Sequence, residues 1–526
     1  MTIRALTVGL VVACVLAVTL AAEQAAPRRF GFDDFSRVRR VSEPQFSPDA
    51  ATIAVVVATP NLDENRHVAT LHTVDVASGR MDQLVSGENY VGVSFPRYSP
   101  DGSRIAFLAY AKGATNARPQ IYVVSSRGGT PAQVTTMSTG VQQLAWSPDS
   151  NTLGFASADE PEKKTGYQRW NDSFDVQPNF HLFMTAPVPP THVWTVPAAG
   201  GEAKRLTSGD WTLPVTRPPG APSSMITWTP DGTAIVFARA GTGGGGGGGG
   251  AGLHRVSIAN GEVTPIKLNG THPQYSPAAD QIAFLNNGAT IAPAEGGQLR
   301  NLTQAIDRGI ARALWMPDGR SLIVGGNDTE RVSLWQQPVD ATSAGAAKKI
   351  DTGGVSPNSN YFVDMAISST GALAFTGTSP TRPAELYYMT SLDSPPRRLT
   401  DVNADIAALP LGKAEVISYK FENFDQNAVL TYPPDFDPSK KYPLVLVIHG
   451  GPRAASMLTF SAAAQLMAAK GWLVFQPNYR GSDNLGGAFQ RAISGDAGAG
   501  PGRDVMAGID AVKARGIVDE TKMAVS

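Results

Sequence analysis

Two adjacent glycines follow a strongly apolar run in this 526-residue sequence. Tyr442 to Ile448 reads YPLVLVI and continues directly into His449, Gly450 and Gly451. Such a run predicts a buried strand, and glycines directly after it predict a tight turn whose backbone N–H groups are not covered by side chains. Uncovered N–H groups can stabilise the oxyanion that forms when a carbonyl group is attacked. Gly450 and Gly451 are therefore candidate oxyanion donors of an acyl-transfer site.

The residues that would attack the carbonyl are not found in the sequence. No Gly-x-Ser-x-Gly motif occurs, and no histidine follows His449. In hydrolases with this strand and turn arrangement, the order along the chain is serine, acid, histidine. All three triad members are therefore expected beyond residue 526, and the chain as given is predicted to be inactive. His449 is predicted to support the turn, and Ser526 fits the strand residue before the missing serine.

The turn lies within a region where apolar strands alternate with helical patterns, which predicts a mostly parallel α/β sheet. Strands are predicted at 414–421, 428–432, 442–448, 472–476 and 522–525, and helices at 460–470, 486–493 and 504–515. Residues 409–526 are accordingly predicted to form the first part of an α/β-hydrolase domain.

Upstream, one short motif recurs: a bulky residue, a small polar residue or Met, Pro, and usually Asp and Gly, followed by a β-rich run. Its copies begin at Phe46, Tyr98, Trp146, Trp228, Tyr275 and Trp315, with a degenerate one at Ile367. Pro-Asp-Gly is turn chemistry between strands, and the spacing suits four-stranded blades. Residues 30–408 are therefore predicted to form a β-propeller of about seven blades. Residues 159–190 look like an insertion, and 243–250 is a glycine run.

The segments HGGP, QPNYRGS at 476–482, RDVMAGID at 503–510 and RGIVD at 515–519 together resemble the acylaminoacyl peptidase branch of the prolyl oligopeptidase family. The upstream propeller fits the same family. The resemblance implies a serine peptidase in which a propeller caps an α/β-hydrolase domain and admits short peptides. It assigns one backbone N–H of Gly450 or Gly451 to the oxyanion hole. Asn478, Arg480 and Asp504 match the family in type, and we expect them to position the domain.

Three other functions stay open. A dipeptidyl peptidase would hold a free amino terminus with acidic propeller side chains, and Glu160 and Glu162 are candidates, although a Glu-x-Glu in a Lys-rich loop is typical of a solvated surface. Esterase activity would use the same turn. A non-catalytic periplasmic binding propeller, similar to that of the Tol system, would carry similar repeats but would not need the segment after residue 408. The resemblance implies no metal or organic cofactor.

Residues 1–22 have the plan of a secretory signal peptide: Arg4, an apolar run, and small residues at Ala21 and Ala22. Export to the periplasm or medium is expected. The apolar run continues past Cys14, the single cysteine, which argues against lipidation there. The formal net charge of -1 and the sequence pI near 6.7 give no field that would attract nucleic acid or an anionic membrane.

Overall fold

The computed structural model describes residues 27–166, 175–177, 180–183, 189–214, 223–241, 251–340, 346–359, 363–451 and 453–526. The predicted signal peptide at 1–22 and the glycine run at 243–250 lie outside these residues. A short 3-10 helix at Phe32–Ser36 precedes the first strand, and a second lies at Gln304–Ile306.

Seven antiparallel sheets of four or five strands follow one another through the described residues up to Arg398. Blade 1 contains β1 to β4: Arg40–Phe46, Thr52–Asn61, Arg66–Asp75 and Met81–Val85. Blade 2 contains β5 to β8: Tyr90–Tyr98, Arg104–Ala111, Gln120–Ser125 and Ala132–Gln133. Blade 3 contains β9, β10, β13 and β14: Gln143–Trp146, Thr152–Ala158, Thr191–Pro197 and Lys204–Arg205. Between its second and third strands lies the inserted hairpin β11–β12: Asp175–Gln177 and Phe180–Phe183.

The remaining blades repeat this plan. Blade 4 contains β15 to β19: Trp211–Thr212, Thr227–Trp228, Ala234–Gly241, Gly252–Ser257 and Val263–Asn269. Blade 5 contains β20 to β23: Thr271–Tyr275, Gln281–Leu285, Ala289–Pro293 and Arg300–Asn301. Blade 6 contains β24 to β27: Ile310–Trp315, Ser321–Asp328, Arg331–Pro338 and Lys348–Lys349. Blade 7 contains β28 to β32: Ser356–Pro357, Met365–Ile367, Leu373–Ser379, Arg382–Met389 and Arg397–Arg398. The predicted seven-bladed propeller is confirmed.

The recurring motif builds the turn at the end of each blade's innermost full strand. In blade 1, the Ser47 hydroxyl donates to Asp49 Oδ1 (2.6 Å) and accepts from the backbone N–H of Thr52 (3.0 Å). The bulky residue of the motif reaches back to the preceding blade, because the Trp228 indole N–H donates to the backbone carbonyl of Ala145 (3.0 Å). The copies that begin with Trp146, Trp228 and Trp315 therefore both close a turn and link two blades by a hydrogen bond.

The apolar core of the propeller lies between blades. Each neighbouring pair of blades encloses its own cluster of buried side chains, in the part of the chain that the structure describes. The cluster between blades 7 and 1 packs Val41 and Ile53 against Ala374 and Leu386. No strand of blade 7 pairs with a strand of blade 1 in the described residues, so side chains close the ring rather than a shared sheet.

After the short helix α1 (Ala404–Ala407) the chain forms one five-stranded sheet. Its strands β33 to β37 are Ala414–Phe421, Phe424–Thr431, Tyr442–Leu446, Leu473–Pro477 and Val518–Val525, in the order β33-β34-β36-β35-β37. Strands β36, β35 and β37 are parallel, whereas β33 and β34 are antiparallel to their neighbours. Three helices connect them: α2 (Ala462–Ala469), α3 (Gly487–Arg491) and α4 (Ala499–Lys513). The predicted α/β sheet is therefore present, led by an antiparallel hairpin.

The stretch before β1 packs on the α/β sheet domain rather than on blade 1 alone. Phe30 is buried against Ile406 and Ala469, and its ring lies 6.1 Å from the ring of Phe460 between centroids. Arg29 donates a hydrogen bond to the backbone carbonyl of Ala469 at the end of α2 (3.1 Å). The chain therefore contacts the second domain at both ends of the propeller.

Candidate active site

The candidate oxyanion turn follows β35 at His449, Gly450 and Gly451. Gly451 has φ of +114°, a left-handed conformation in which a side chain is strained. A Cβ atom built on Gly450 would meet no other atom within 4 Å. Both glycines are exposed, and in the described part of the chain neither N–H group has a hydrogen-bond acceptor. Two unused backbone donors therefore lie at the carboxyl end of β35.

The imidazole of His449 is held on the inner side of this turn. Its ring stacks on the Tyr479 ring at 4.5 Å between centroids, and the Tyr479 hydroxyl donates to the His449 carbonyl (2.7 Å). The Ser482 hydroxyl donates its proton to the Tyr479 carbonyl (2.7 Å), so His449 Nε2 donates to Ser482 Oγ (2.9 Å). Burial lowers the pKa of His449, against opposing effects of the Gly450 carbonyl and Asp483. Nδ1 of the same ring lies 3.2 Å from the Gly450 carbonyl, and a neutral imidazole can donate from only one of its two nitrogens. That His449 supports the turn stays a prediction.

The carboxyl end of β37 lies directly beside the turn. In the parallel pairing, Val525 of β37 is opposite Leu446 of β35, and the Ser526 N–H donates to the Leu446 carbonyl (2.9 Å). Parallel strands present their carboxyl ends at the same edge of a sheet. A residue that follows β37 would therefore enter the space next to Gly450 and Gly451.

Asn478 ties the loop after the turn to the sheet. Its side-chain oxygen accepts from the Ser456 N–H (2.6 Å), and its Nδ2 donates to the Ser456 carbonyl (3.0 Å) and to Asn427 Oδ1 (2.8 Å). Asn478 and Asn427 are both buried. Ser456 lies five residues after Gly451. The Asn478 side chain therefore fixes the loop that leads away from the glycine turn.

A buried ion pair anchors the loop after β36. Arg480 donates to Asp504 in a bidentate pair, from Nε to Oδ2 and from Nη2 to Oδ1, both at 2.8 Å. Asp504 is fully buried and also accepts from the Arg480 N–H and from Gln426 Nε2, each at 2.8 Å. Burial raises the pKa of Asp504, but the hydrogen bonds from Arg480 and Gln426 outweigh it and hold the pKa below its usual value. The pair connects β34, the loop after β36 and α4, which is a positioning role.

The β25–β26 hairpin of blade 6 reaches the loops on both sides of the turn. Asn327 Nδ2 donates to Asp483 Oδ1 (2.8 Å), and the Thr329 N–H donates to the Asn484 carbonyl (2.8 Å). The carbonyl of Glu330 accepts from the Leu458 N–H (2.7 Å). Burial raises the pKa of Asp483, and the Asn327 hydrogen bond opposes that shift. In the sequence, these propeller residues look like an ordinary polar turn between two apolar strands. Such a turn does not indicate which other part of the chain it contacts.

The candidate amine-binding acids are placed differently. Glu160 and Glu162 are exposed in the segment that follows β10 of blade 3. Among the described residues, neither side chain makes a hydrogen bond or ion pair with the α/β domain. A role of these two residues in holding an amino terminus stays a prediction.

The described ranges contain no group of three or more His, Cys, Asp or Glu side chains arranged to hold a metal ion. They also contain no helix with the length and apolarity needed to cross a membrane.

Comparison with known proteins gives one family and several relatives. The model of the prolyl oligopeptidase family matches residues 458–526. The chain is 26% identical to the uncharacterized peptidase YuxL of Bacillus subtilis, over 94% of this chain and 77% of that protein. It is 24% identical to dipeptidyl-peptidase 5 of Porphyromonas gingivalis, over 92% of this chain and 73% of that protein. The similarity to both relatives includes the propeller as well as the matched segment.

Among solved structures, the acylaminoacyl peptidase of Pyrococcus horikoshii is similar with a TM-score of 0.73. The alignment covers 95% of this chain and 74% of that chain at 18% identity. At this identity the likeness concerns the fold, and it agrees with a propeller followed by an α/β-hydrolase sheet. The strand order β33-β34-β36-β35-β37 and the turn after β35 are the parts of that fold that bear on chemistry.

Proposed function

Because this chain is a serine peptidase of the prolyl oligopeptidase family, we propose that it hydrolyses short peptides at a site between its propeller and its α/β-hydrolase domain. The observation that carries the proposal is the turn at Gly450 and Gly451. Its two N–H groups have no acceptor among the described residues, and they lie beside the end of β37. A binding propeller without catalysis would have no use for this arrangement.

The turn would supply one donor of the oxyanion hole. When a nucleophile attacks the scissile carbonyl, its oxygen gains a full negative charge, and a preformed N–H stabilises that charge without reorganisation. Removing one such donor in a comparable enzyme costs about 3 kcal/mol of transition-state stabilisation. His449, Tyr479 and Ser482 keep the turn in place through the stacking and hydrogen bonds described above.

We place the nucleophilic serine just after β37. In hydrolases of this fold, the serine lies on a sharp strand-to-helix turn, and its following N–H completes the oxyanion hole with an N–H from the loop after the third strand. Here the third strand is β35, and β37 is its parallel neighbour. The serine would attack the carbonyl while a histidine accepts its proton, and an aspartate would orient that histidine. The amine leaves with the proton, and water then cleaves the acyl-enzyme.

This placement predicts that residues 1–526 alone are catalytically inactive, because the serine, the aspartate and the histidine all follow Ser526. It also predicts that the propeller acts as a size filter, since substrates would reach the turn through the space that blade 6 borders. The names of the relatives include a dipeptidyl-peptidase and an acylaminoacyl peptidase. We therefore propose short peptides with a free or acylated amino terminus as the substrate class. We further propose that the protein is exported, on the strength of residues 1–22.

The test compares two proteins: residues 1–526, and the product of the gene read beyond codon 526. Both would be assayed with alanyl-alanyl and acetyl-alanyl p-nitroanilides and labelled with a fluorophosphonate. We expect turnover and labelling by the longer protein and neither by residues 1–526. Turnover without labelling, or a longer product that has no Gly-x-Ser-x-Gly motif after β37, would refute the proposal. The ratio of the two substrates separates a dipeptidyl from an acylaminoacyl preference.

A further inference from the structure

Within or just before the innermost strand of each blade, one residue occupies an equivalent position facing the axial channel of the propeller. This residue lies three positions before the bulky residue of the motif. The innermost strands of neighbouring blades contact one another from blade 6 through blades 7, 1, 2 and 3 to blade 4. Hydrogen bonds from the His272 N–H to Ser224 and from the Trp315 N–H to Gln274 link blade 5 to its two neighbours. The equivalent positions therefore form a ring around the axis, which we call the axial belt. Its members are Glu43, Phe95, Gln143, Met225, His272, Arg312 and Asp364. At about 3.4 Å per residue the belt lies roughly 10 Å inside the Pro-Asp end of the channel.

At three of these positions the backbone departs from regular β geometry, so the side chains do not follow the alternation of a normal strand. Glu43, Phe95 and His272 have positive φ values of 58°, 58° and 56°. Each lies at a register shift between its strand and the next one in the blade. A bulge of this kind re-aims a side chain, and bulges are common beside functional sites. Such conformations are strained for residues other than glycine, and strained residues are common at functional sites. Their repetition around one ring therefore indicates a binding or catalytic role.

The acids of the axial belt are engaged by backbone N–H groups. The Asp364 carboxylate accepts from the Glu43 N–H at 3.0 and 2.9 Å and from the Thr376 hydroxyl at 2.8 Å. Glu43 in turn accepts from the Phe95 N–H at 2.5 Å. Both carboxylates therefore join blade 7 to blade 1 and blade 1 to blade 2.

Most N–H donors of the Arg97 guanidinium make no hydrogen bond within the described residues. It lies 4.0 Å from the Phe95 ring centroid and donates one hydrogen bond, to the Pro96 carbonyl (2.8 Å). Within the described ranges, no carboxylate oxygen lies within 4.0 Å of it. Arg312 of the belt is close enough for the two positive charges to interact: burial and then Arg97 lower the pKa of Arg312 to about 10. Two guanidinium groups therefore share one buried region.

A cavity of about 220 Å³ lies between these groups. Its polar lining comes from Glu43, Gln45, Arg97, Gln274, Arg312 and Asp364. The volume is below the roughly 300 Å³ at which sites for drug-sized ligands begin, so it suits one small group with a few waters. Guanidinium groups offer paired N–H donors that match the two oxygens of a carboxylate. We propose that the axial cavity binds a carboxylate group between Arg97 and Arg312.

The charges of the cavity favour an anion over a cation. Burial raises the pKa of Glu43 to about 7, with Arg97 opposing and Asp364 adding to the shift. Burial lowers the pKa of His272 to about 4, so its imidazole is neutral near pH 7. Near neutral pH, two arginines then face Asp364 and a Glu43 whose pKa lies at about 7. A divalent cation would meet two guanidinium groups at this site.

The sign of the pH dependence follows from Glu43. As the pH falls through about 7, Glu43 gains a proton and loses its negative charge, so a bound carboxylate is repelled less. Burial lowers the pKa values of Arg97 and Arg312, but guanidinium groups keep their charge in proteins, and His272 stays neutral. Burial also raises the pKa of Asp364, so a proton gained by Asp364 would likewise remove a negative charge from the cavity. Affinity for a carboxylate is therefore expected to increase from pH 8 to pH 6.

The source of the carboxylate is linked to the proposed peptidase function. A short peptide or its carboxyl-terminal product carries one free carboxylate. A free small acid offers the same chemistry. The binding experiment separates these sources, and it uses residues 1–526 without any turnover. Absence of carboxylate binding would therefore refute the carboxylate site and would not affect the peptidase proposal. Absence of peptidase activity would refute the peptidase proposal and would not affect the carboxylate site.

The first experiment is isothermal titration calorimetry of residues 1–526 at pH 6 and pH 8. The three ligands are acetyl-alanyl-alanine, the carboxyl-terminal amide of that peptide, and acetate. We expect the free acid to bind at least about tenfold more tightly than the amide, because the amide lacks the charge that the arginines require. Acetyl-alanyl-alanine binding more tightly than acetate would identify a peptide end as the ligand, and equal affinities would identify any small acid. Affinity should fall by up to about tenfold at pH 8. Equal binding of acid and amide, or no binding of any acid, would overturn the proposal.

Two variants test the charges of the cavity: removing the positive charge of Arg97 should weaken carboxylate binding, and removing the negative charge of Glu43 should strengthen it. Arg97→Gln should weaken binding of the free acid by about tenfold or more, and Arg255→Gln, which removes an exposed arginine paired with Glu295, should not change it. Glu43→Gln keeps an acceptor for the Phe95 N–H, and it should tighten binding at pH 8 and reduce the pH dependence. Damage to the fold cannot tighten binding, so this variant is decisive even where Arg97→Gln fails to fold. Weaker binding by Glu43→Gln at pH 8 would overturn the proposal.

Discussion

The buried pair between Arg480 and Asp504 allows a quantitative prediction for the anchoring of the candidate active site. Asp504→Asn keeps the shape of the side chain but replaces one carboxylate oxygen by an amide NH2 group. That group would face the donors of Arg480, which now make two 2.8 Å bonds to the carboxylate. Breaking a buried ion pair by removing one partner typically costs about 3–5 kcal/mol. Glu422, the other partner of Arg480, is more exposed and compensates only in part.

Hydrogen exchange read by mass spectrometry measures this loss locally. Peptides that cover 473–481 report β36 and the loop that Arg480 anchors. A loss of about 3 kcal/mol in the free energy of local opening corresponds to exchange that is faster by a factor of about 150. The matched control is Asp519→Asn, which removes the exposed pair with Lys522 in the α/β domain and should leave these peptides unchanged. Unchanged exchange of 473–481 in Asp504→Asn would refute the anchoring role.

The same pair gives a pH dependence with a definite sign. The pKa of Asp504 is lower in the folded protein than the ordinary value of 3.8. The ionised carboxylate therefore stabilises the fold above that value, and this contribution is lost as the pH falls through the lowered pKa. In acid, the difference in protection between the unchanged protein and Asp504→Asn should shrink. A difference that stays constant down to pH 2 would contradict the charge-based explanation.

Three further predictions concern the turn, the propeller and their contact. Gly451→Ala should lower the unfolding free energy by about 1 kcal/mol because its φ is +114°, whereas Gly450→Ala should be neutral in a denaturation experiment. Trp228→Phe should cost about 1 kcal/mol by losing the hydrogen bond between blades, and an unchanged melting temperature would contradict that role. Asn327→Leu should increase exchange of peptides around Asp483 and leave blade 1 unchanged; equal protection would show that this contact does not hold the domains.

The sequence predicted those parts of the structure that depend on local chemistry. The Ser-Pro-Asp motif forms its own turn, as Ser47 and Asp49 illustrate, so each copy could be read without knowing its neighbours. The run from Tyr442 to Ile448 and the glycines after it likewise predict a buried strand and a turn. The structure has this strand at Tyr442–Leu446, and the turn follows at the expected residues.

The remaining features depend on which parts of the chain meet in space. The members of the axial belt share a position in the repeat but not a residue type, so Glu43 and Arg312 show no common pattern in the sequence. The contact of Asn327 with Asp483 joins residues 156 positions apart, and a polar turn between strands does not indicate its partner. The packing of Phe30 on the α/β domain, before the first blade begins, similarly follows from the closed ring and not from local propensity.

The central claim is that the N–H groups after β35 stabilise the oxyanion of a serine peptidase. The most direct measurement is a crystal structure of the protein extended past Ser526, in complex with a peptide boronic acid that forms a tetrahedral adduct with the serine. We predict that a boronate oxygen lies about 2.7–3.1 Å from the backbone nitrogen of Gly450 or Gly451. An adduct on a serine elsewhere, or one whose oxygens point away from both glycines, would contradict the claim.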